Sequence, residues 1–183
     1  LARPNLPAQR SDQAGLQLEL RALDASTGGR AAAGALLAVD GVLGTGDYLR
    51  GRLAGRWSAF RSGPLGATLR GEVGGILGHP TVQGRWLVGG AGGVRGYAPD
   101  DATGDAFALL GAEATLGGRT LAMTLFSDAG WAWGDPGPFR TRHHLASAGL
   151  GLVALNGVAR LELARALRPP VSWWLGLTLD LPR

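Results

Sequence analysis

Period-two alternation runs through most of this chain, and it leaves few folds open. Leu16, Leu18 and Leu20 fall on one side and Gln17, Glu19 and Arg21 on the other. That period marks a strand with one apolar face, because successive Cβ atoms leave opposite faces of a pleated backbone. The pattern covers 16–25, recurs more weakly over 31–42, and returns over 48–60, 65–77, 105–116, 121–133, 145–154, 158–166 and 172–181. Over 121–133, for example, Leu121, Met123, Leu125, Ala129, Trp131 and Trp133 oppose Thr124, Phe126, Asp128 and Gly130. Turn residues separate the runs: Ser26 to Gly29, Ser62 to Gly66, Gly117-Gly118 and the hairpin signal Asn156-Gly157. No stretch has helical periodicity. The chain reads as all-β, with about nine strands of roughly ten residues each.

Two architectures use such strands. A soluble sandwich turns its apolar faces inward. A transmembrane β-barrel of the outer-membrane type turns them to lipid and lines its lumen with the polar faces. Three features favour the barrel. The strands are long. Their polar faces mix Arg50, Arg52, Arg56 and Arg70 with Glu72, which suits a wet interior. The connections also alternate, short ones against longer ones near 43–47, 79–104 and 134–144, as in outer-membrane barrels. Trp57, Trp131, Trp133 and Trp173 stand at the ends of apolar faces, where an interfacial girdle belongs. Hydrophobic residues make up 45% of the chain, yet no run approaches the roughly 20 apolar residues of a spanning helix.

Composition removes other classes. Cysteine is absent, so disulfides and thiolate metal sites are out. All 18 basic residues are arginine, and the net charge is +4. That balance would permit a nucleic-acid partner, but no basic run or basic helix supports one, and none is expected. No signal peptide opens the sequence, as in a processed chain, a fragment or a cytosolic protein. There is no nucleophile elbow and no phosphate-binding loop, so neither catalysis nor a cofactor is expected.

The connection over 79–104 stands out. Its centre, Gly89-Gly90-Ala91-Gly92-Gly93-Val94-Arg95-Gly96-Tyr97, holds five glycines in nine residues. So bare a loop can enter a confined space and carry its arginine there. A charge in a lumen of low effective dielectric needs partners. Glu113 and Asp128, on the inward faces of consecutive strands, are placed to flank one guanidinium.

These residues resemble a family. Gly93-Val94-Arg95-Gly96-Tyr97 is similar to the VRGY/F motif in the long surface loop of the bacterial surface antigen family, which holds the BamA-like insertases and the two-partner secretion transporters. Phe126-Ser127-Asp128-Ala129-Gly130 resembles that family's F-x-D-x-G motif, and Glu113 takes the place of its acidic residue on the intervening strand. The resemblance covers about 45–183 well and the first strands by pattern alone. It implies a barrel of about 16 strands preceded by periplasmic POTRA domains, in the bacterial outer membrane or its organelle equivalent. It implies a loop folded back into the lumen with its Arg docked on the acidic patch. That clasp either stiffens the barrel or takes part in a conformational cycle.

The function so implied is insertion of proteins into the outer membrane, by strand addition at an exposed barrel edge. Alternatives are a two-partner secretion pore exporting a partner polypeptide, a porin or structural barrel, and a soluble β-protein. The implied partners are outer-membrane lipid, unfolded outer-membrane or secreted proteins, and accessory lipoproteins or periplasmic chaperones. Gly176, Leu179 and Leu181 fit the glycine and hydrophobic positions of a C-terminal targeting signal, although Pro182-Arg183 stand where a terminal aromatic is usual. His143-His144 and the group Asp100, Asp101 and Asp105 read as loop residues rather than metal ligands, since adjacent strand residues diverge and no calcium-loop spacing follows.

The expected organisation is a polar arm over 1–14 and a barrel portion over 15–183. An odd strand count would leave the termini on opposite sides of the membrane. The expectation is therefore an open nine-stranded sheet, equivalent to the C-terminal half of the family barrel, whose first and last strands do not pair.

Overall fold

The computed structural model describes residues 11–24, 31–44, 47–60, 64–118, 120–135, 144–169 and 171–179. Among these residues eleven strands form, and nine of them make one sheet. They are β1 (Ser11–Asp24), β2 (Ala31–Gly44), β3 (Tyr48–Phe60), β4 (Leu65–Gly78), β7 (Ala106–Gly117), β8 (Leu121–Trp133), β9 (His144–Ala154), β10 (Ala159–Ala166) and β11 (Trp173–Leu179). Neighbours in this order are antiparallel. The two remaining strands, β5 (Trp86–Leu87) and β6 (Thr103–Gly104), pair with each other inside the long loop. Among the described residues β1 pairs only with β2 and β11 only with β10, so the sheet is open.

The sheet is inside-out by the standards of a soluble protein. On β8 the burial alternates at every step: Leu121, Met123 and Leu125 are exposed, whereas Ala122, Thr124, Phe126 and Asp128 are buried. Leu125 is 59% exposed and Asp128 is 3%. Leu175, Leu177 and Leu179 on β11, with Leu161 and Leu163 on β10, continue the exposed apolar face. Apolar side chains in that position need a hydrocarbon solvent, and a charge in that position would be costly there. The fold is the antiparallel β-barrel type of outer-membrane proteins, present as an open sheet.

Some boundaries differ from those the alternation gave. β1 starts at Ser11, which pairs with Gly44, so residues 11–14 belong to the strand and not to an arm ending at 14. The polar run Ser11-Asp12-Gln13 lacks alternation, but ladder hydrogen bonds come from backbone and need none. Residues 1–10 lie outside the described residues. The Asn156-Gly157 connection is not a two-residue hairpin. Leu155–Gly157 form a 3-10 turn, with Leu155 at φ 55° and Gly157 at φ 94°.

The buried core lies between the long loop and one part of the sheet. Val88, Val94, Tyr97 and Ala102 of the loop pack with Phe107, Ala132, Leu145 and Ala166 of β7 to β10. The loop therefore supplies the second apolar layer that a single sheet lacks.

Candidate functional site

The loop is pinned at both ends before it reaches the site. Near its start, Arg85 Nη1 donates to Asp105 Oδ1 at 2.8 Å and Nη2 to Asp135 Oδ2 at 2.7 Å. Asp101 accepts the Ala98 N–H at 2.8 Å and closes the 3-10 turn Pro99–Asp101. Asp101 and Asp105 thus hold the loop's shape. Among the described residues no group of His, Cys, Asp and Glu is arranged for a metal. His144 is exposed and contacts Arg168, while His143 lies outside the described residues.

Between these ends the VRGY stretch lies against β8, β9 and β10. The Val94 N–H bonds the Val88 carbonyl at 2.9 Å, making a tight internal fold. A Cβ on Gly93 would sit 2.0 Å from that carbonyl oxygen, so only glycine fits. Gly96 has φ 95° and lies against the backbone of Ala166. Its carbonyl accepts from Ser172 Oγ at 2.8 Å. The Tyr97 hydroxyl donates to the Ala146 carbonyl at 2.9 Å and accepts the Arg168 N–H at 3.1 Å. Gly130 clears the ground beneath, since a Cβ there would lie 2.6 Å from both Val88 and Val94. Every residue of the motif therefore has a packing reason for its type.

Arg95 is 7% exposed and points into a cluster of carboxylates. Its Nε and Nη2 donate to Asp128 Oδ2 and Oδ1 at 2.6 and 2.9 Å, a bidentate fork. Its Nη1 donates to Glu162 Oε1 at 2.6 Å and stands 3.7 Å from Glu113 Oε2. The guanidinium carbon lies 3.4 Å from the centre of the Phe126 ring, which forms a cation–π floor. A Cβ at Gly149 would sit 2.3 Å from that ring's Cζ, so Gly149 leaves room for the floor.

Two further arginines complete the network. Arg70 Nη2 donates to Asp128 Oδ1 at 3.0 Å and to the Gly93 carbonyl at 2.8 Å, tying β4 to the loop. Arg160 Nε donates to Glu162 Oε1 at 2.8 Å, and its Nη2 bonds Glu113. Arg70, Arg95 and Arg160 thus face Asp128, Glu113 and Glu162, and the formal charges cancel. Asp128 accepts with both carboxylate oxygens, and each cation has a carboxylate partner, which is what a buried ionic cluster requires.

The sequence pointed to Asp128 and Glu113 as partners of Arg95. Asp128 takes that role directly. Glu113 belongs mainly to Arg160, and Glu162 takes its share of Arg95. Glu162 was legible in principle, since it lies on the polar face of 158–166 beside Arg160. Gly176 faces inward on β11 and leaves room for the Trp174 ring; Leu179 faces outward, and Leu181 lies outside the described residues.

Over β2 to β4 the loop makes fewer contacts: Trp86 stacks on Arg50 of β3, Gly84 lies against Tyr48, and Arg70 of β4 reaches Gly93. A cavity of about 640 Å³ opens there, lined by Ala35 and Leu36, by Arg56 and Ser58, and by Arg70 and Glu72.

The fold has a solved counterpart. CdiB from Acinetobacter baumannii matches with a TM-score of 0.66 and 19% sequence identity, over 91% of this chain and 33% of that one. The chain has the fold of part of CdiB. It spans about a third of that protein's length. No family model and no curated protein sequence matches it.

Proposed function

We propose that this chain forms part of an outer-membrane transporter that exports a partner polypeptide, as in two-partner secretion. The observation that carries this reading is the docking of Arg95 on Asp128 by a loop that packs against the inner face of a barrel-type sheet. A plain porin needs no such clasp, and a soluble sandwich would not bury Arg95, Asp128 and Glu162 while exposing its leucines. The likeness to CdiB, a two-partner secretion transporter, supports export over insertion within the family that the VRGY and F-x-D-x-G motifs resemble. The protein's place is then the bacterial outer membrane. Its partners are lipid and an unfolded secreted polypeptide.

In this reading the residues do no covalent chemistry. The clasp holds the loop against β7 to β10, and the cavity along β2 to β4 borders the space through which a chain passes. Arg70 belongs to both, because it bonds the loop and lines the cavity. A passing polypeptide that engages Arg70 would loosen the loop.

The test is export itself. The protein is produced in a bacterial outer membrane with the polypeptide encoded beside its gene, and the medium is assayed for that polypeptide. Export that depends on this protein supports the reading. Depletion that lowers outer-membrane proteins in general, with no single exported partner, would instead mark an insertase.

A further inference from the structure

One charge sits on the wrong face. The outward positions of β3, β4 and β7 to β11 are occupied by Leu, Val, Met, Trp, Ala, Gly, Ser and the terminal His144, with a single exception. Arg165 on β10 is exposed and outward, between Leu163 and Leu167. A charge at the middle of a lipid-facing wall is costly, but the cost falls away toward the interface. Arg165 is one residue from the end of its strand and pairs with Trp173, the first residue of β11. Its guanidinium carbon lies 5.4 Å from the Trp173 ring centre, so the cation is held at the depth of an interfacial tryptophan.

Among the described residues the surroundings add a second cation and no paired carboxylate. Arg168 is exposed three residues on, and its guanidinium contacts His144 at the start of β9. Arg52, Arg70, Arg85, Arg95 and Arg160 each form an ion pair with a carboxylate. Among the described residues neither Arg165 nor Arg168 does. The end of the sheet is also fixed, because β10 and β11 join on the side of the long loop between β4 and β7.

We propose that Arg165 and Arg168, with Trp173 and His144 beside them, bind the phosphate headgroup of a lipid in the leaflet on the long-loop side. Arginine matches phosphate through paired N–H donors, and the indole supplies an apolar wall at the boundary between headgroup and acyl chains. The bound lipid would lie over the β10–β11 junction, whose backbone also anchors Tyr97 through Arg168, and would brace that end of the loop.

This inference rests on the outer-membrane reading, and the experiment separates the two. Purified protein in detergent is first checked for heat-modifiable gel mobility. It is then titrated, by native mass spectrometry, with lipid A, with dephosphorylated lipid A and with inorganic phosphate. The expected result is a saturable lipid A adduct, weak binding of the dephosphorylated lipid, and no effect of inorganic phosphate. The double variant Arg165→Gln/Arg168→Gln should bind lipid A about tenfold more weakly while keeping its heat-modifiable mobility, since charge-assisted contacts are the stronger class of hydrogen bond. Equal binding of both lipids, or equal binding by the variant, would overturn the lipid site and leave the barrel standing. A chain without heat-modifiable mobility would overturn both. Displacement of lipid A by inorganic phosphate would make the site one for free anions.

Discussion

Asp128 receives Arg95 with both carboxylate oxygens, at 2.6 and 2.9 Å, across thirty-three residues of chain. One residue is on strand β8 and the other in the middle of a glycine loop, so the pair converts a covalently remote contact into the loop's main tether. The pair is flanked by Glu162 and Arg70 and floored by Phe126.

Removing the cation leaves its acids stranded. Arg95→Ala should destabilise the fold by about 3 kcal/mol, the low end for breaking a buried pair, because Arg70 and Arg160 still reach Asp128 and Glu162. The strand content should survive, since ladder bonds do not involve Arg95. A lower midpoint in heat-modifiable gel mobility with an unchanged far-ultraviolet circular dichroism spectrum is the expected outcome. Arg95→Lys should recover little, because an ammonium cannot make the bidentate fork.

The aromatic floor makes a separate contribution. Phe126→Leu keeps an apolar side chain but removes the ring face beneath Arg95, and should cost about 1–2 kcal/mol, within the range for a desolvated cation–π contact together with lost packing. Measured in the Arg95→Ala background the same change should cost less. Equal costs in both backgrounds would show that the ring does not serve the guanidinium.

Gly130 tests the fit of loop to strand. A methyl group there meets Val88 and Val94 at 2.6 Å. Gly130→Ala should lift the loop while sparing the sheet, and limited proteolysis should then cut within 79–104 faster than in the parent protein. An unchanged cleavage rate would mean that the loop is not seated on β8.

The faces of the sheet can be read directly with spin labels. A label at Leu125 should be relaxed by oxygen dissolved in lipid, and one at Thr124 should not, because their side chains leave opposite faces of β8. The reverse pattern would invert the inside and outside of the whole account.

Strands and faces were legible in the sequence because both follow from one period. Leu125 and Asp128 could be assigned to opposite faces without knowing any neighbour. Pairing across strands was less legible. Alternation fixes which face a side chain takes, but the height at which strands meet depends on register. That is why Glu113 was expected beside Arg95, while Arg160 claims most of it and Glu162 moves in. The space-making glycines, Gly130 and Gly149, were invisible as such, because their reason lies in Val94 and Phe126, which meet them only in three dimensions. The start of β1 at Ser11 was missed because its backbone pairs without an amphipathic signal.

Whether Arg95 holds the loop inside can be measured directly. The chain contains no cysteine, so one introduced thiol reports without interference. Val94 is fully buried beside Arg95, whereas Ala98 on the same loop is exposed. Intact cells carrying Val94→Cys or Ala98→Cys would be treated with a membrane-impermeant maleimide. Val94→Cys should label slowly, Ala98→Cys quickly, and Val94→Cys should label at least about tenfold faster once Arg95→Ala is added, the factor expected from about 1.4 kcal/mol of lost docking. Labelling of Val94→Cys as fast as Ala98→Cys with Arg95 intact would contradict the docked loop.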